Sequence, residues 1–234
     1  MIKAILFDLD GTLLPMDQNR FVESYLKRLV QKLAPYGYDP KQLIDTIYMG
    51  ITAMYKNNGT QSNETVFWDA FTGIFGGDAR KDEPIFMDFY NNEFHEAKEA
   101  CGFAPESAEL IHMIHEKGLR VVLATNPLFP AVATHNRIRW AGLQPEDFEL
   151  VTTFENSHFC KPNPAYYQEI LGKLNLAPEE CLMVGNDVRE DMVAGKLGMH
   201  LFLLTDCLLN EYQEDIDQYP HGGFPELITR IRGL

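Results

Sequence analysis

Short apolar runs alternate with longer amphipathic stretches along most of this chain. Ile2–Phe7, Leu119–Ala124, Leu150–Phe154, Cys181–Val184 and His200–Leu204 have strand length and are rich in Val, Ile, Leu and Phe. They are nearly all-apolar rather than alternating, the pattern of strands whose two faces are both covered by helices. Pro105–Lys117, Pro130–Ala141, Pro164–Leu174, Arg189–Leu197 and Phe224–Ile231 read as the helices between and after them. Pro105, Pro130 and Pro164 suit a first helical turn, where the missing N–H costs nothing. Gly102, Gly118, Gly142 and Gly198 suit the turns that follow helices. Repeated βα units of this kind predict an α/β fold, a Rossmann-like parallel sheet core flanked by helices.

The alternation breaks between the first strand and the second. Residues 16–98 contain no convincing strand, and three sets of apolar positions keep helical spacing. Phe21, Tyr25, Leu26, Leu29, Val30 and Leu33 form the first. Leu43, Ile47, Ile51 and Met54 form the second, and Val66, Phe67, Ala70, Phe71 and Ile74 the third. The polar stretch from Lys56 to Asn63 separates the last two as a loop. The expectation is an inserted all-helical cap domain of roughly 80 residues, spanning 16–98, in a core made of 1–15 and 99–234. The loop at 56–63 is a candidate specificity element. The aromatic residues Tyr48, Tyr55, Phe67, Trp68 and Phe71 are candidates to line a pocket, but helical spacing favours core, so none is assigned to a site.

Composition narrows the function. With 45% hydrophobic and 23% charged residues the chain has enough apolar material for a sizeable core. Thirty-four acidic against 20 basic residues give a net charge of -14, the wrong sign for a protein that neutralises many nucleic-acid phosphates. The first apolar run ends at once in Asp8 and Asp10, and none approaches the ~20 residues of a membrane span. Cys101, Cys160, Cys181 and Cys207 form no C-x-x-C pair, which suits incidental thiols in a reducing compartment. A cytoplasmic protein is expected, without nucleic acid, membrane or obligate protein partner.

The candidate chemistry lies where strands end. Asp8-Leu9-Asp10-Gly11-Thr12 follows the first strand, and buried carboxylates are costly enough that the pair should face a site rather than the interior. Thr125 and Asn126 follow the second strand. Lys161 stands just before the helix at Pro164, where its charge and the helix N-terminus both attract an anion. The segment Gly185-Asn186-Asp187-Val188-Arg189-Glu190-Asp191 follows a further apolar strand and is rich in acids. Each piece alone is an ordinary turn, cap or surface residue.

In this order and at these strand ends, the four pieces resemble the motifs of the haloacid dehalogenase-like (HAD) hydrolase superfamily, in its phosphatase-type members with a helical cap between the first two motifs. The resemblance implies that Asp8 is the nucleophile of an aspartyl-phosphate mechanism and that Asp10 is the general acid and base. It implies that Thr125, Asn126 and Lys161 bind the phosphate. Mg²⁺ would be held by Asp8, Asp10 through its carbonyl, and Asp187, with Asn186 the alternative ligand and Asp191 touching metal-bound water or orienting Lys161. Haloacid dehalogenases lack an acid two residues after the nucleophile, so Asp10 favours phosphoryl chemistry. The expected substrate is a small phosphorylated metabolite. A phosphomutase, or a binding protein that kept the fold, are the alternatives.

Overall fold

The structure is a computed structural model that describes residues 1–234. Its sheet consists of β1 (Ala4–Phe7), β2 (Arg120–Leu123), β3 (Leu150–Val151), β4 (Cys181–Gly185), β5 (His200–Leu204) and β6 (His221–Gly222). All pairings are parallel, in the order β3-β2-β1-β4-β5-β6. The four residues of β1 are all fully buried because successive side chains enter opposite apolar layers. Ile5 and Phe7 join a layer with α5 (Pro105–Glu116), α6 (Ala131–Trp140) and α8 (Phe224–Arg232) through Ile111, Ile138 and Leu227. Ala4 and Leu6 join the layer of α7 (Pro164–Leu174) through Tyr166, Tyr167 and Ile170.

The sequence expectation and the sheet differ in three places. β6 has only two residues, His221 and Gly222, and so carries no apolar run to read. β3 stops at Val151 rather than Phe154, because the Asn156 side chain accepts from the Thr153 N–H at 2.9 Å and donates to the Val151 carbonyl at 2.9 Å, turning the chain. The helix expected over Arg189–Leu197 is only a 3-10 stretch, Met192–Leu197. Asp187 Oδ1 accepts from the backbone N–H groups of Arg189 and Glu190 at 2.7 and 2.8 Å, and this local alternative holds the preceding segment as a turn.

Between β1 and β2 lie α1 (Gln18–Leu33), α2 (Pro40–Tyr55), α3 (Asn63–Phe75) and α4 (Glu83–Asn91), with 3-10 turns at Ala34–Tyr36, Gly77–Asp82 and Glu93–Ala100. Asp17, Asp39 and Ser62 start the first three helices, each side chain accepting from a backbone N–H three residues on. The two passages into and out of this helical segment run antiparallel, bridged at Met16 and Cys101, with the Gly102 N–H on the Pro15 carbonyl at 2.7 Å. One apolar cluster of 41 residues spans the helices and the sheet. Phe94 stacks on Trp140 of α6 at 5.1 Å, and Asn136 donates to the Tyr90 carbonyl at 2.8 Å. The loop at 56–63 is anchored at its end, where the Asn63 N–H and that of the following Glu64 meet the carbonyls of Ser157 and Phe154 at 2.8 Å, while Asn58, Thr60 and Gln61 stay exposed. No helix is long and apolar enough to cross a membrane.

Candidate active site

β1 delivers the chain to the carboxyl edge of the sheet between β2 and β4, the switch point where an open α/β sheet leaves a crevice. The Asp8 N–H continues the ladder to the Val184 carbonyl at 2.9 Å, so its position is fixed by the sheet. Gly11 then turns with φ +90, a conformation that resists a side chain, and a Cβ there would also collide with the Asn186 amide. The turn brings the Thr12 hydroxyl to Asn186 Oδ1 at 3.0 Å and to Asp8 Oδ2 at 3.3 Å. The first and fourth strand-end segments are thus tied together.

A cavity of about 190 Å³ opens here, lined by Asp8, Asp10, Thr125, Asn126, Asn186, Asp187, Glu190 and Asp191 from the strand ends. Gln18, Phe21, Val22 and Tyr55 contribute from α1 and α2, whereas the loop at 56–63 lines none of it. Seven of the eight predicted site residues therefore meet at one cavity. The eighth, Lys161, is fully buried, and its Nζ donates to Asp8 Oδ1 at 2.8 Å and to Asp191 Oδ1 at 2.6 Å. Burial alone would favour the neutral amine, but Asp191 and then Asp8 outweigh it and hold the lysine charged, well above its ordinary range. Gly185 permits this packing, because a Cβ would strike the Asp191 carboxylate.

Two details depart from the sequence reading, and a third bears on the alternative it left open. Lys161 does not line the cavity, so its charge acts on Asp8 and Asp191 in this arrangement. Asn126 spends its amide N–H₂ on Glu190 Oε2 at 2.9 Å and on the Tyr55 hydroxyl at 3.2 Å rather than holding it toward the cavity. Both Asn186 and Asp187 reach the cavity. Asn186 is held at both ends, by Thr12 and by the Cys207 carbonyl at 2.7 Å, while Asp187 keeps Oδ2 without a protein partner.

Arg137, Glu190 and Tyr55 carry no role in the sequence reading. Arg137 on α6 is fully buried, forms an ion pair with Asp10 Oδ2, and stacks over Phe129 at 4.5 Å. Asp10 Oδ1 has no partner. Burial raises the Asp10 pKa against the pull of Arg137, and Asp8 adds repulsion. Burial pushes Glu190 up to about 7 against the pull of Lys161, with Asp187 and Asp8 adding repulsion. Tyr55 reaches from α2 to Glu190 Oε1 at 3.3 Å, joining the helical segment to the acidic turn. An acidic residue in the 185–191 segment was a visible signal for Glu190, whereas nothing local distinguishes Arg137 from Arg139.

Five carboxylates line the cavity and no lysine or arginine does. No three carboxylate, histidine or cysteine groups close on one point. Apart from the Met16 thioether the lining nonetheless offers carboxylate and amide oxygens, which fits a hard divalent cation that completes its shell with backbone oxygen and water.

A family model described as haloacid dehalogenase-like hydrolase matches residues 2–198. Glyceraldehyde 3-phosphate phosphatase from Methanopyrus kandleri is 26% identical over 201 residues, covering 85% of this chain and 82% of that protein. Pyrophosphatase PpaX from Halalkalibacterium halodurans is 24% identical over 195 residues, covering 83% and 79%. Among solved structures, a HAD phosphatase from Thermococcus onnurineus superposes with a TM-score of 0.61 over 99% of both chains at 19% identity, a likeness of fold. With the family's match running from β1 through the acidic segment after β4, the chain belongs to the haloacid dehalogenase-like hydrolases.

Proposed function

We propose that this hydrolase is a Mg²⁺-dependent phosphatase that cleaves a small phosphate monoester through an aspartyl-phosphate on Asp8, with residues 16–98 as its cap. The observation that carries this reading is the convergence of Asp8 and Asp10 on one acidic, oxygen-lined cavity, with a buried Lys161 bonded to Asp8. The names of the similar proteins, phosphatases of glyceraldehyde 3-phosphate and of pyrophosphate, support the phosphoryl half of it.

An Asp8 oxygen attacks phosphorus and the ester P–O bond breaks, its electrons leaving with the alcohol oxygen. Asp10 gives that oxygen a proton from Oδ1, the atom free of Arg137. The deprotonated Asp10 then takes a proton from water, which attacks the phosphoryl group and returns Asp8 as a carboxylate with release of inorganic phosphate. Arg137 holds Asp10 Oδ2 throughout and so orients the carboxyl. Lys161 offsets the charge of Asp8, which an anionic phosphate must approach. Thr125 contributes its hydroxyl to the phosphate oxygens. Asp8, the Asp10 carbonyl, and Asp187 or Asn186 would hold Mg²⁺, which when bound supplies positive charge to the phosphate and the attacking carboxylate. Asp191 acts on Lys161. Gln18 and Tyr55 close the cavity from the cap side and limit water.

The test is phosphate release from a panel of sugar phosphates, phosphorylated acids and simple alkyl phosphates, with and without Mg²⁺. The wild type should release phosphate only with the metal. Asp8→Asn should lower turnover by about 10⁴-fold or more while the protein stays folded. Near-normal release by Asp8→Asn overturns the proposal.

A further inference from the structure

Beside the catalytic cavity lies a second one of about 140 Å³, enclosed by the helical segment and the loop after β2. Leu29, Ile47, Ile51, Phe67, Trp68 and Phe86 form its walls, and no charged or amide side chain lines it. Val22, Leu128 and Phe129 line both cavities, so the two adjoin at these side chains. Phe129 is held between them by the Arg137 guanidinium over its ring. Close-packed interiors contain few apolar voids of this size, and a cavity of about 150 Å³ with aliphatic and aromatic walls holds a benzene ring.

We infer that the apolar cavity receives the organic half of the substrate, which is therefore the phosphate ester of a ring-sized, mainly apolar alcohol rather than of a sugar or a short polyol. This rests on the phosphatase reading and names the substrate class for the same site. The hydroxyls of a polyol would lose their water in this cavity and find almost nothing in exchange. The polar atoms in its walls are few, and Tyr48, one of the residues that carry them, is half exposed. The Tyr25 and Tyr90 hydroxyls bond each other at 3.2 Å, which uses one of their two protons, and Trp68 Nε1 is buried without an acceptor. The spare donors suit one neutral acceptor oxygen on an otherwise apolar ring. The phosphate remains at Asp8, and the ester oxygen lies where Val22, Leu128 and Phe129 border both cavities.

Binding of two phosphonates that cannot be hydrolysed separates this inference from the function beneath it. With Mg²⁺ present, calorimetry on the full-length protein should give benzylphosphonate a Kd at least tenfold below that of methylphosphonate, about 1.4 kcal/mol. Ile51→Trp, which narrows the cavity, should shrink the difference several-fold and leave methylphosphonate binding unchanged. In phosphate release, benzyl phosphate should exceed glycerol 3-phosphate in kcat/KM by a similar factor, both being esters of primary alcohols. Equal affinity for the two phosphonates in the wild type overturns the substrate class and leaves the phosphatase reading standing. Failure to bind either phosphonate overturns both. A difference that survives intact in a folded Ile51→Trp protein overturns the assignment to this cavity.

Discussion

The carboxyl edge of the sheet and the helical segment face each other across the site and are built in opposite ways. At the sheet edge, Asp8, Lys161 and Asp191 are buried charged groups whose positions follow from short turns after aliphatic strands. In the helical segment the buried groups are Phe21, Tyr25, Trp68, Phe71, Phe89 and Phe94, packed edge to face and stacked in one cluster. Charges held in low dielectric have few tolerated alternatives, since each needs its partner. Aromatic packing tolerates exchange of similar volumes, so the same helices are able to carry different cavities. In the proposed phosphatase, partner geometry would set the phosphate end and side-chain size the leaving-group end.

Removing a charge at the edge should have the largest effect on this contrast. Lys161→Met leaves Asp8 and Asp191 buried without their cation and should cost about 3–5 kcal/mol in urea denaturation; a loss under 1 kcal/mol would mean that the edge tolerates exchange as the helices do. Arg137→Met strips Asp10 of its partner and should cost about 3 kcal/mol, the low end of the same range, because the Asp10 side chain keeps 19% exposure. Its kcat should fall more than its KM rises, the signature of a misoriented Asp10 rather than of weakened binding. In the helical segment, Phe94→Leu should cost about 1–2 kcal/mol, with a single unfolding transition, because the cluster is shared with the sheet. Two separated transitions would instead make the helices an independent unit. The smallest effect is expected for Tyr55→Phe, about 0.5–1 kcal/mol with a rise of a few-fold in KM, since its bonds to Glu190 and Asn126 are long and half-exposed. A tenfold loss of kcat at constant KM would move Tyr55 into the chemistry.

Legibility in the sequence followed the range of the interactions. β1, β4, β5 and α7 were readable because a run of apolar residues bounded by turn residues is a local signal. β6 was not, having two residues and pairing through backbone alone. The 3-10 stretch after Asp191 was mistaken for a helix because the competing bonds come from one side chain, Asp187, whose orientation has no periodic signature. The anchoring of the loop at 56–63 was not legible, because its polarity is the same whether it faces water or, as through Asn63, a neighbouring backbone.

The sequence by itself determined the α/β class, the interruption by helices, and the residues at the strand ends, because strand period and chain order fix which side chains emerge at one edge. Only the tertiary structure decided that Arg137 pairs with Asp10 across 127 residues, that Glu190 and Asn126 meet Tyr55, and that Trp68 and Phe67 wall a cavity while Phe71 lies in the packed core. Those outcomes depend on how each helix is rotated and how deeply it packs. A helix with apolar residues on most of its faces leaves that rotation open until its neighbours are in place.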